Sequence, residues 1–254
     1  MSVDPRAVPS GPLRLESCGK RIRAFVNGRP VVDTTHPVLV WEIPPYPAYY
    51  LPLADVVAEL VPSDRREHAP GRGDARYFDV HVAGRVLKDA AWAYPRSPVE
   101  ALRNLVRLDW DAMDEWMEED EPVYVHPRSP YTRVDILASS RRVRIAIDGV
   151  MVADSDQPRI LFETGLPPRF YLPLAHLRTD LLRPSATLTR CPYKGTATYW
   201  DIEVGGRLYE DHVWTYRAPL PESARIAGLA CFYDERVDTY VDGVLAPRPR
   251  TPFS

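Results

Sequence analysis

The sequence predicts a mainly β protein with short helices, arranged as two tandem copies of one small domain. Three observations carry this reading. Apolar runs are joined by Asn27-Gly28 and Asp148-Gly149, dipeptides that accept positive φ and so favour tight hairpins. β-branched and aromatic residues crowd segments such as Thr196-Ala197-Thr198-Tyr199-Trp200-Asp201-Ile202. The chain also repeats itself at a spacing of 121, as in Gly28 and Gly149, Asp33 and Asp154, and Pro37 and Pro158. Between Arg21–Val56 and Arg142–Leu177, 13 of 36 positions are identical without a gap, which marks a duplication. The register then slips by one residue, pairing Tyr77 with Tyr199, Asp79 with Asp201, Asp89 with Asp211, Trp92 with Trp214 and Tyr94 with Tyr216.

A chain of 254 residues with 45% hydrophobic content has room for two small cores. The net charge of −3 argues against a general nucleic-acid binder, since no basic excess is present to neutralise phosphates. Three cysteines, Cys18, Cys191 and Cys231, form no Cys-x-x-Cys pair, so the expectation is a reducing, cytoplasmic setting without a zinc site or other cofactor. Neither a signal peptide nor an apolar run long enough to cross a membrane is read from the sequence. The oligomeric state is not encoded in any pattern found.

Taken in order, residues 1–12 read as a disordered leader and residues 13–121 as the first domain. Each copy opens with a hairpin, around Asn27-Gly28 and then Asp148-Gly149. Strands follow at Val38–Ile43 and Ile160–Thr164, then at Tyr49-Tyr50-Leu51-Pro52 and Phe170-Tyr171-Leu172-Pro173. Prolines bound these strands and can start helices, so Leu53–Val61 and Leu174–Leu182 each fit one short helix. Ser97-Pro98-Val99-Glu100 has the spacing of a capping box and Pro221-Glu222 opens a shorter equivalent, which gives each copy a second helix. The acids of Asp109–Glu121 read as a solvated face. Residues 122–133 read as a proline-rich connector, 134–246 as the second domain, and 247–254 as a tail in solvent.

The candidate site is the turn Cys191-Pro192-Tyr193-Lys194-Gly195, where a thiol, a phenol and an amine precede an aromatic strand. Pro192 fixes the backbone and Gly195 permits a bend, so the turn is pre-organised. Cys191 and Lys194 are the candidates for chemistry, because a lysine close to a thiol favours its thiolate; a buried structural cysteine is the alternative. Glu163 ends an apolar strand, and burying its charge requires a partner such as Lys194 or an arginine. Tyr171, Trp200 and Trp214 complete the expected walls. The first copy has Ala69-Pro70-Gly71-Arg72-Gly73 in place of the turn, keeping a cation in Arg72 but lacking the thiol and the phenol.

Phe162-Glu163-Thr164-Gly165, Phe170-Tyr171-Leu172-Pro173, Cys191-Pro192-Tyr193-Lys194-Gly195, Trp214-Thr215-Tyr216 and Ile226-Ala227-Gly228-Leu229 occur in the order that resembles bacterial domain-of-unknown-function family 427. Tandem two-copy members are familiar in actinobacteria. The resemblance implies strongly curved, β-tent-like sheets, and the family is sometimes labelled nucleotidyltransferase-like. Asp154-Ser155-Asp156 is the one tempting acidic pair for such chemistry, yet no phosphate-cradling glycine loop accompanies it and a plain turn is expected. The leading functional expectation is therefore a small polar or anionic ligand bound in the second copy. A cysteine-dependent or nucleotidyltransferase-like enzyme and a structural or protein-interaction module are the alternatives.

Overall fold

The computed structural model describes residues 13–251, so the expected leader, residues 1–12, lies outside the described residues. The chain divides between Ser129 and Pro130 into two compact units, each holding a seven-stranded and a four-stranded antiparallel sheet. In the first unit the larger sheet runs Arg14–Ser17, Val38–Trp41, Ala48–Pro52, Leu105–Leu108, Arg85–Ala93, Gly73–Val82, Glu59–Ala69. The second unit repeats that order with Val134–Ala138, Arg159–Glu163, Arg169–Leu172, Ala230–Phe232, Arg207–Thr215, Gly195–Val204, Leu182–Cys191. The protein is thus mainly β, in two tandem copies whose sheets stay open. Among the described residues no helix is long and apolar enough to cross a membrane.

The alternation of side chains along a strand gives the large sheet two buried faces. Tyr49 and Leu51 pack into one core with Ile22, Val26 and Trp116, whereas Tyr50 between them points into a second core with Tyr77, Tyr94 and Leu102. The second unit copies this arrangement, with Leu172 on one side and Tyr171 on the other. The opening hairpins form as expected, and both residues of each turn hold positive φ: Asn27 at 49° and Gly28 at 69°, Asp148 at 48° and Gly149 at 77°.

Both copies bend at one place. Register shifts fall between Phe78 and Val80 and between Trp200 and Ile202. At each bend an aspartate with φ near 50°, Asp89 or Asp211, donates its backbone N–H to the carboxylate of Asp79 or Asp201, at 2.9 and 2.8 Å. Ser63 and Ser185 close the same loop by donating to Asp89 and Asp211 at 2.6 Å. This accounts for the aspartates shared by the copies: they saturate backbone and side-chain groups that the bulge leaves without ladder partners.

Most of the expected helices are absent. Leu53–Val61 contains one 3-10 turn, Leu53–Asp55, before the strand Glu59–Ala69 takes over; Leu174–Leu182 contains the turns Leu174–His176 and Thr179–Leu181, followed by the strand Leu182–Cys191. The extra turn Thr179–Leu181 has no counterpart in the first copy and absorbs the one-residue slip in the repeat. Helices this short nucleate poorly, while pairing along a long hairpin satisfies the same backbone groups and packs both faces. The Ser97 capping arrangement likewise holds only the turn Glu100–Leu102, with Ser97 Oγ accepting from the Val99 N–H, and the next residues form the strand Leu105–Leu108. Pro221–Ile226 does form a short 3-10 helix.

Two surface expectations also change. Within Asp109–Glu121 most acids are exposed, but Met113, Trp116 and Glu118 are buried, with Glu118 accepting from Tyr49 and pairing with Lys20. Alternation along the strand Glu115–Glu118 turns one acid inward, and a phenol and an ammonium meet it there. The tail does not simply trail in solvent. Ala246 N–H donates to the Thr239 carbonyl, Arg248 pairs with Asp238 at 2.8 Å, and Thr251 donates to Glu235. Of the residues read as a connector, Pro122 lies in a strand paired to Glu115–Glu118, and Val123 donates to the Trp116 carbonyl.

Candidate functional site

The candidate residues converge on the second face of the large sheet in the second unit. Cys191 ends one long strand, Gly195 begins the next, and their backbones are paired, which places Lys194 in the turn between them. Gly195 takes φ +93°, a backbone conformation that strains any L side chain, although a Cβ there would make only ordinary contact with Leu220 at 3.5 Å. The turn is pinned from the far side by Leu220 N–H donating to the Lys194 carbonyl, and by Ser223 Oγ donating to the Tyr193 carbonyl at 3.0 Å.

Lys194 reaches Glu163, the last residue of the strand Arg159–Glu163, at 2.5 Å, with only 12% and 10% of the two side chains exposed. The Cys191 side chain also acts on it electrostatically. Burial alone would pull the ammonium down, but Cys191 and Glu163 outweigh it and its pKa rises above the ordinary value. Lysine is therefore a cation here, paired with a carboxylate.

Below this group lies an aromatic floor. Tyr171, Tyr199, Trp214 and Tyr216 are buried together with Ile226 and Cys231. Trp214 Nε1 donates to the Tyr171 hydroxyl at 3.2 Å, and the two rings meet edge to face. Burial pushes the Tyr171 and Tyr216 phenols and the Cys231 thiol well up, so all three are neutral donors at ordinary pH.

Cys191, Lys194, Glu163, Tyr171 and Trp214 are thus brought together as the sequence suggested, with the Tyr193 backbone fixing the turn. Trp200 is not part of the group. Alternation along the strand puts Trp200, next to Tyr199, on the opposite face, where it packs with Ile202, Val204 and Phe232. Nor does this group line either of two open depressions of about 340 Å³ in the same unit, one at Met151–Asp154 and Ala175–Arg178, the other around Gln157–Arg159 and Leu229. Asp154, half of the tempting acidic pair, is engaged by the Arg142 guanidinium through both carboxylate oxygens.

Sequence reasoning missed a buried neighbour of Trp214. Arg169 lies over that ring at 5.8 Å and forks onto Glu235 at 2.6 and 2.7 Å, with Asp234 at 3.5 Å. Burial raises the Asp234 carboxyl to about 6, although Thr239 donates to it. In the sequence, Asp234-Glu235-Arg236 has the composition of a solvated turn, and the arginine that holds it lies 66 residues away. Tyr216 carried a signal, since Tyr94 matches it in the first copy.

That first copy sets the same acid among different partners. Glu42 accepts from Tyr50 and is faced by Arg72 at 3.3 Å and by Arg107. Ala69, in the place of Cys191, is buried, and Ala75, Tyr77, Tyr94 and Leu102 form the floor. Strand pairing sets Arg107 opposite Trp92 and Cys231 opposite Trp214, so the two occupy equivalent places.

Comparison with protein families matches residues 14–119 and again residues 135–243 to one domain of unknown function, DUF427. The chain belongs to that family as a tandem two-copy member. No curated protein matches it.

Proposed function

We propose that the second copy binds a small polar or anionic ligand at Lys194, Glu163 and Cys191, with the Tyr193 turn as its rim and Tyr171 and Trp214 beneath. The observation that carries this reading is the Lys194 ammonium, nearly buried and paired with a carboxylate, in the same turn as a thiol and beside an aromatic floor. A donor and a soft sulfur in one fixed turn, with an acceptor reached from the neighbouring strand and apolar rings beside them, is the composition of many small-molecule sites. An anionic group on the ligand would share Lys194 with Glu163, while a hydroxyl or amide would donate to Glu163. The test is a thermal-shift screen of polar metabolites on the full chain. Hits are expected to lose their shift in Lys194→Ala and weaken in Cys191→Ala; hits unaffected by both variants would defeat the reading.

The ammonium on the thiol favours a second reading, in which Cys191 is a nucleophile. In that case Lys194→Met slows carboxamidomethylation of Cys191 at fixed pH by about tenfold or more. Equal labelling rates, read by peptide mass spectrometry, leave binding as the remaining role.

A further inference from the structure

We propose that the first copy holds a separate oxyanion-binding site, in which Arg72 and Arg107 together take a phosphate or carboxylate group beside Trp92. The proposal starts from charge. In the second copy one cation faces one acid, Lys194 and Glu163. In the first copy two guanidinium groups face the single carboxylate of Glu42, and a phenol from Tyr50 also donates to it. Its two oxygens are thus already engaged while the pair of arginines retains a surplus positive charge. Burial lowers the Arg107 guanidinium to about 10, so it is still a cation at neutral pH, and exposed Asp109 beyond its strand opposes that lowering from a distance.

Donor capacity points the same way. Two guanidiniums offer ten N–H bonds, and Arg72 Nε is buried with no acceptor among the described residues. Each guanidinium lies beside an aromatic ring: Arg107 4.8 Å over Trp92, and Arg72 5.7 Å from the Tyr94 ring centre. Arg107 keeps 27% of its side chain exposed while Arg72 and Glu42 keep 14% and 11%, so the open approach is on the Arg107 side. Planar guanidinium forks match the paired oxygens of phosphates and carboxylates, which an ammonium such as Lys194 does not.

The site lies within the first unit and requires none of the second copy's groups. Its test therefore uses the full chain carrying Lys194→Ala, so that the second-copy group does not contribute. Calorimetric titration with inorganic phosphate, and separately with acetate, is run against chloride at equal ionic strength. Saturable binding of at least one probe at millimolar concentration or tighter is expected, and the stronger probe identifies the ligand's head group as phosphate or carboxylate. Arg107→Gln should weaken that binding by about tenfold or more. Arg72→Lys, which keeps the charge and loses the fork, should weaken it several-fold. Neither probe exceeding chloride, or affinity unchanged in both arginine variants, overturns the proposal.

Discussion

The two copies keep a glutamate at the same place on the sheet, Glu42 and Glu163, yet the first surrounds it with two arginines and the second with one lysine and a thiol. The scaffold around them is shared down to the tyrosine beneath, Tyr50 or Tyr171, and the tryptophan beside it, Trp92 or Trp214. Even the cation over that tryptophan recurs, but from different strands: Arg107 on Leu105–Leu108 in the first copy, Arg169 on Arg169–Leu172 in the second. Duplication preserved the geometry of the acid and the rings while the groups that would meet a ligand diverged. The conserved part is the part the core needs, and the varied part sits at the rim.

The largest expected effect comes from removing the shared acid. Glu163→Gln leaves a nearly buried lysine without its counter-charge, and Glu42→Gln leaves two arginines facing one another, so each should cost about 3–5 kcal/mol in urea unfolding of the full chain. The loss should be greater for Glu42→Gln. The double variant Glu163→Gln/Lys194→Met is expected to recover most of the Glu163→Gln loss; no recovery would mean the acid acts other than by pairing with the lysine.

Next in size is an effect that only the second copy should show. Burial raises the Asp234 carboxyl to about 6, so between roughly pH 4 and 6 the native state holds a proton that the unfolded chain has released. Stability from this group is therefore highest below about pH 4 and is lost as pH rises through about 6, by something on the order of 2–3 kcal/mol. In the first copy the equivalent place, two residues beyond the strand, is Trp110, which does not titrate. Stability measured from pH 4 to 7 should lose this component in Asp234→Asn, and an unchanged profile would refute it.

The smallest expected difference concerns the paired turn glycines. Gly73 and Gly195 hold φ of +90° and +93°, and an added Cβ would meet Pro98 at 3.3 Å in the first copy but Leu220 at 3.5 Å in the second. Alanine at either position should cost about 1–3 kcal/mol from the backbone alone, slightly more at Gly73 because its neighbour is closer. Equal melting temperatures for the two variants and the parent would show that the turns relax.

Much of this architecture is written locally. Asn27-Gly28 and Asp148-Gly149 announce hairpins because their backbones accept the required φ, and the spacing of 121 announces the duplication before any fold is known. Cys191 and Lys194 share one turn, so their proximity could be read from the chain, and Glu163 was marked by the cost of an acid at the end of an apolar strand. The helices expected at Leu53–Val61 and Leu174–Leu182 failed because propensity over nine residues yields to the pairing of a long hairpin.

What the sequence determined by itself is the pair of β copies, the pre-organised turn and the chemical types gathered at it. Tertiary structure alone decided that Trp200 faces away, that Arg107 and Cys231 are equivalent, and that Arg169 reaches Asp234 and Glu235. The reason is physical: alternation along a strand is a local rule, but which face each core covers, and which distant strands become neighbours, is settled only when the sheet closes its hydrogen bonds.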